Sequence, residues 1–195
     1  MLSLHDAAFV AGAARLADLP ADYGREVAFT GRSNAGKSSA LNRLTGQAGL
    51  ARVSKTPGRT QQLNVFALDG GHRLIDLPGY GYAKVPEALR RRFAGLLEGY
   101  LHNRQSLCGL VLLADIRQGL KDEDQNLVRA RGDIPILILL SKADKLSRGG
   151  QKARVLAVAK TVPEHCYVLP FSAHTGDGVD EARNRVEAFL RDGAR

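Results

Sequence analysis

The chain has 195 residues, 44% hydrophobic and 25% charged, with a net charge of +8. This length suits one α/β domain with a sizeable core, and the composition excludes wholesale disorder. The longest apolar runs, such as "IPILILL", are too short to span a membrane, and the start of the chain has no secretory pattern. The expectation is a soluble, cytosolic monomer. The positive excess draws anionic partners, of which nucleic acid is the commonest.

Residues 1–24 read as an N-terminal segment packed on the domain, and residues 25–193 as the domain itself. "HDAAFVAGAARLADLP" predicts a short helix, with an extended start open as an alternative, ended by Pro20. "REVAFT" predicts a strand that enters a glycine loop and then the helix "KSSALNRLTG". After the basic loop "QAGLARVSKTPGRT", the runs "QLNVFAL" and "HRLIDLP" flank the turn "DGG" as a hairpin pair. "VPEALRRRFAGLLEGYLHN" is helical, with Leu89, Phe93, Leu96, Leu97 and Tyr100 on one face. The strands "CGLVLLADI", "IPILILL" and "CYVLPF" then alternate with the helices "DEDQNLVRARG", "GQKARVLAVAKTV" and "VDEARNRVEAFLRD". Unbroken apolar strands are buried on both faces, so the fold class is α/β, a three-layer αβα arrangement. The expected sheet is mostly parallel and six-stranded, with one antiparallel strand. Cys108 and Cys166 fall in apolar runs and read as buried strand residues. The histidines show no metal-ligand spacing.

The chemistry follows the strands. In "GRSNAGKSS", residues 31–39, Gly31 and Gly36 let the backbone N–H groups of Arg32, Ser33, Asn34 and Ala35 curl toward phosphate. Lys37 reaches the outer phosphates, the Ser38 hydroxyl suits Mg²⁺, and Ser39 continues the helix start. In "DLPGYG", Asp76 stands where a carboxylate holds the Mg²⁺ shell through water. Leu77 and Pro78 carry the chain to Gly79, whose N–H can approach the terminal phosphate. In "SKAD", Ser141, Lys142, Ala143 and Asp144, the carboxylate matches guanine's N–H and amine pair; the Lys142 stem either covers the base or braces the loop. This selects GTP over ATP. In "FSAHTGDG", Ser172 and Ala173 can present backbone groups to the base oxygen, with Phe171 beside them in the nucleotide site; a polar turn before a helix reads equally well locally, and the position after the last strand favours the site. Between them, Thr56 and Thr60 can each close over Mg²⁺. Thr60, after the hinge Gly58 and Arg59, is preferred.

These segments, with "KTPGRTQQLNVF", "IDLPGYGYAKVP", "LVLLADIRQGLKDED" and "LSKADKLSR", make the chain resemble the EngB family of ribosome-assembly GTPases. That family belongs to the TrmE-Era-EngA-EngB-septin-like group of P-loop GTPases. The likeness covers nearly the whole chain, and "DLPGYGYA" is its most specific part. Phe93, where the family often has tryptophan, and Ala173, where a second serine is common, depart from the pattern. The resemblance implies slow GTP hydrolysis to GDP, Mg²⁺ dependence, and a role in assembling the large ribosomal subunit, with consequences for growth and division. The partner it implies is a precursor particle of ribosomal RNA and proteins.

The glutamine that orients water in other small GTPases is replaced by Tyr80. Related GTPases with asparagine at the loop's centre are activated by potassium, and the resemblance assigns K⁺ to the Asn34 side chain. The alternative is an asparagine that stabilises its own turn. Lys37, Asn34, Thr60 and Gly79 form the expected catalytic set. Arg90, Arg91 and Arg92, with Lys55, Arg59 and Lys84, suggest an RNA-facing surface beside the switch loops, against the alternative of a solvated face. An ATP-using kinase and a septin-like structural module are the competing readings.

Overall fold

A computed structural model of the chain describes residues 2–52, 62–81, 86–131 and 133–193. Seven strands form one sheet among the described residues: β1 (Ala8–Ala13), β2 (Glu26–Gly31), β3 (Leu63–Ala67), β4 (Arg73–Asp76), β5 (Leu107–Asp115), β6 (Ile136–Ser141) and β7 (Cys166–Pro170). Their order is β1-β3-β4-β2-β5-β6-β7, and only β3 runs against the rest. Five α-helices cover it: α1 (Lys37–Thr45), α2 (Glu87–Asn103), α3 (Asp122–Ala130), α4 (Arg148–Ala159) and α5 (Val179–Asp192).

The α/β architecture is as expected, with one strand more than six. The extra strand is β1, drawn from the stretch that reads as a helix. Its alanines favour a helix, but Phe9 and Val10 fit a pleated edge, and pairing with β3 overrides the weak local preference. Phe9 meets Phe66 edge-to-face at 6.0 Å.

All nine residues of β5 and all six of β6 are buried. They explain the unbroken apolar runs, since side chains on alternate faces enter two different cores. One core lies under α1 and α5, with Leu41, Leu44, Val186 and Phe189 against Val27, Phe29 and Val111. The other lies under α2, α3 and α4, with Leu96, Tyr100, Leu127 and Val158 against Leu110, Leu112 and Ile138. Each fully buried leucine contributes roughly 1.5–3 kcal/mol.

At the start of β2 the buried Glu26 carboxylate accepts from Arg73 at 3.0 Å, from Arg104 at 2.7 Å and from the Tyr100 hydroxyl at 2.8 Å. The same arginines donate to the carbonyls of Pro20, Ala21 and Tyr23, which fastens the chain ahead of β2. Parallel register then brings Gly31 beside Leu113, and Asp115 beside Ser141, at the opposite edge of the sheet. Ligands of such sheets bind at this carboxyl edge.

Candidate nucleotide site

Gly31 closes β2 at φ 156°, and a Cβ there would lie 2.6 Å from the Leu113 carbonyl oxygen. Only glycine permits that approach. The chain then turns through two left-handed positions, Asn34 (φ 62°) and Gly36 (φ 91°), and Ala35 N–H donates to the Arg32 carbonyl at 3.0 Å. Such a turn suits an anion through N–H groups other than those of Ser33 and Ala35, which were expected to face phosphate but are committed to the Tyr80 and Arg32 carbonyls. α1 starts at Lys37 with no side chain on its first N–H groups, so its positive end opens on the same place. Ser38 and Ser39 occupy that first turn.

Lys37 forms a close, buried ion pair with Asp76, the last residue of β4. Asp76 also accepts from the Asn64 amide at 3.3 Å. Beyond it, Leu77 N–H bonds the Phe29 carbonyl at 2.9 Å, and Tyr80 bridges to the phosphate loop through Ser33 N–H at 2.8 Å. Pro78 and Gly79 lie between these anchors. The Tyr80 hydroxyl donates to Asp124 at 2.5 Å. Burial first, then the Asp124 carboxylate, holds its proton on well above the usual phenol range.

The base side is tied to the phosphate side. Lys142 sits at φ 57°, and its ammonium reaches the Asn34 carbonyl at 3.0 Å and Asp115 at 3.1 Å. Of the two roles open to this lysine from the sequence, bracing the loop is the one seen. The Ser141 hydroxyl donates to the Ala35 carbonyl at 2.6 Å. Asp144 accepts from the Ser172 hydroxyl at 2.7 Å, which with Lys145 keeps its carboxyl below the ordinary range. Ser172 N–H is committed to the Asp177 carbonyl at 2.9 Å, so of the pair expected to offer N–H groups to the base, Ala173 is the one left to do so. Ala143 and Phe171 are buried and bonded to each other at 3.1 Å, so they support the loops from below.

A cleft of about 980 Å³ runs between Gly36 and Ser39 on one side and Lys142, Asp144 and Ala173 on the other. It is long enough in chemistry, from anion nest to paired acceptor, for a nucleoside polyphosphate. Gly58, Arg59 and Thr60 lie outside the described residues, as do Thr56, Lys55 and Lys84.

Sequence reasoning passed over three residues that order the cleft. Asp115 holds Lys142 and accepts from Arg117 at 2.6 Å; its place at the end of a strand, like that of Asp76, was a readable signal. Asn42 pairs with Ala51 in both directions at 2.7 and 2.9 Å and so directs the chain leaving α1. Asp124 anchors Tyr80 from α3, a long-range contact that no local pattern announces.

Comparison with known proteins agrees with this geometry. Residues 26–142 match the family model described as a 50S ribosome-binding GTPase. The probable GTP-binding protein EngB of Klebsiella pneumoniae subsp. pneumoniae is 50% identical over 189 residues, covering 94% of this chain and 90% of the relative. The Salmonella typhi protein of the same name is 50% identical over 187 residues, 93% of this chain and 89% of that one. Among solved structures, a probable GTP-binding protein engB is 26% identical, with a TM-score of 0.70 over 86% of this chain and 99% of that one. Era, solved with MgGDPNP and a segment of 16S ribosomal RNA, shares the fold at 22% identity and a TM-score of 0.66, over 87% of this chain and 57% of that one. No described helix is long and apolar enough to cross a membrane. The family model and these relatives place the chain in the EngB family of GTP-binding, GTP-hydrolysing proteins.

Proposed function

We propose that this protein is a slow GTPase switch acting on the large ribosomal subunit during its assembly in the cytoplasm. The observation that carries the switch is the Lys142 ammonium on the Asn34 carbonyl, which makes guanine recognition and phosphate holding parts of one site. The ribosomal partner is supported by the family description, by the net charge of +8 and by the ribosomal RNA held by the fold neighbour Era. Co-sedimentation with purified large subunits in the presence of a GTP analogue, GDP or no nucleotide tests it. The expected result is binding that depends on the terminal phosphate; equal pelleting in all three states would remove the switch.

The residues fit Mg²⁺. Asp76 is buried and already carries a cationic partner, Lys37, so it is a carboxylate that requires positive charge beside it. With nucleotide bound, Lys37 would serve the phosphates and Asp76 would hold Mg²⁺ through water, with Ser38 and Thr60 as the hydroxyl ligands. The ion would neutralise charge between the outer phosphates, while Gly79 N–H meets the terminal one.

Slow turnover is supported by Tyr80, which stands in place of the water-orienting glutamine and has its hydroxyl engaged with Asp124. Asn34 would then supply its side-chain oxygen to a K⁺ ion. Its left-handed backbone offers a second reason for asparagine, and Asn34→Gly separates the two. This variant keeps the turn and removes the amide. Retained nucleotide affinity with lost K⁺ stimulation, against Na⁺ at equal ionic strength, supports the ion; equal wild-type rates in the two salts would exclude it.

A further inference from the structure

The positive charge is concentrated on one helix and its flanks. Between Lys142 and Pro163 there are six cations and one acid, Asp144. Other exposed helices are mixed. α2 carries Glu87 and Glu98 with its three arginines, and Arg91 pairs with Glu87. α3 opens on Asp122, Glu123 and Asp124, and α5 on Asp180 and Glu181. α4 has no carboxylate, and α1, the other helix without one, is packed between α5 and the N-terminal turn.

The cations of α4 divide by direction. Arg154 faces inward and donates to the Arg117 carbonyl at 3.2 Å. Arg148, Lys152 and Lys160 recur at helical spacing on one outward ridge, and all are exposed. Arg148 is 86% exposed, its nearest carboxylate, Asp177, 3.9 Å away. Beside the ridge stand Gly149, Ala153 and Ala157, small and exposed, which lets a bulky backbone come close. The ridge runs for about 18 Å, with its positions about 6 Å apart. The helix has no aromatic residue on which a base might stack, so its contacts are to phosphate and carry no sequence preference.

We infer that the outer face of α4 is where this protein grips the phosphate backbone of RNA, rather than the arginine triplet on α2. The inference rests on the ribosomal reading above and adds the surface. The face is joined to the nucleotide site, since Gln151 of α4 donates to the Ala143 carbonyl of the base loop at 2.9 Å.

The test uses the full chain and a fluorescent 24-base-pair RNA duplex, titrated across a range of KCl. Arg148→Gln/Lys152→Gln/Lys160→Gln is compared with Arg90→Gln/Arg91→Gln/Arg92→Gln and wild type, with GDP affinity as the check on folding. Loss of three phosphate contacts should lower the log–log salt slope by about 2–3 and weaken binding roughly tenfold or more near physiological salt. The α2 variant should stay near wild type. An α4 variant with unchanged slope, or an α2 variant that loses as much, overturns the inference. So does a Leu156→Ser variant, at the exposed apolar position within the ridge, that loses large-subunit binding while duplex binding stays intact; a protein would then cover the face. If wild type pellets with subunits and the α4 variant pellets equally, the surface is wrong and the ribosomal reading stands. If wild type does not pellet at all, that reading fails first.

Discussion

The Tyr80 hydroxyl donates to Asp124 at 2.5 Å, and Asp124 in turn accepts the Lys121 N–H at 2.8 Å at the start of α3. The residue after Gly79 is thus spent on holding a helix, and its backbone on holding the 31–39 loop. Tyr80→Phe removes the hydroxyl and leaves a carboxylate only 1% exposed short of a donor. The expected cost is about 1.5–3 kcal/mol in urea unfolding, with kcat for GTP within about threefold of wild type. A large fall in kcat without loss of stability would return the phenol to the chemistry.

In the proposed site Ser172 acts on the nucleotide through Asp144. Its hydroxyl orients the carboxylate, and Thr175 N–H at 3.1 Å orients the hydroxyl. Ser172→Ala should weaken GDP and GTP equally, about 10- to 150-fold by calorimetry, the equivalent of one lost hydrogen bond to a charged group. Asp144→Asn should behave differently. It turns one of the two acceptors into a donor, so GTP falls about 100-fold or more while xanthosine triphosphate gains.

Much of this site was legible because its chemistry is local. A phosphate loop needs its glycines, serine and lysine within nine residues, and "SKAD" needs only its strand. Long-range partners were not legible. Nothing in "DEDQNLVRA" shows that Asp124 receives a tyrosine 44 positions earlier, and nothing in "DIRQG" shows that Asp115 receives Lys142. The same limit explains β1. Its alanines speak for a helix, and only the unpaired edge of β3 decides for a strand. The arginine triplet on α2 drew notice because it is contiguous. The outward ridge of α4 is spread over thirteen residues and needs a helix to assemble it.

Acid stability should report on Asp115. The Arg117 guanidinium first, then its backbone N–H and Lys142, holds this carboxyl well below the ordinary range. A depressed folded pKa contributes stability that is present above the unfolded value near 3.9 and lost as pH falls below it. Arg117 is half exposed, so screening reduces the effect to about 0.2–1 kcal/mol. Asp115→Asn should therefore lower stability at pH 7 and flatten the fall below pH ~4 in urea titrations. An unchanged acid limb would mean the pair contributes nothing.

The two thiols should be inert. Burial pushes Cys108 up to about 11 and Cys166 up to about 11. At pH 8 their thiolate fraction is about a hundredfold below that of a free cysteine, and disulfide reagents should label the native protein at least that much more slowly than the unfolded one. Cys108, buried with its Sγ on the Glu26 and Phe189 carbonyls at 3.3 Å, should react last.

The Lys142 contact with Asn34 has a consequence for ligand fragments. Because one side chain crosses from the base loop to the phosphate loop, whatever settles one end of the cleft also settles the other. Guanosine and pyrophosphate should then help each other into the protein without touching, each tightening the brace the other uses. Severing that brace with Lys142→Met would leave two weak, independent half-sites in one fold.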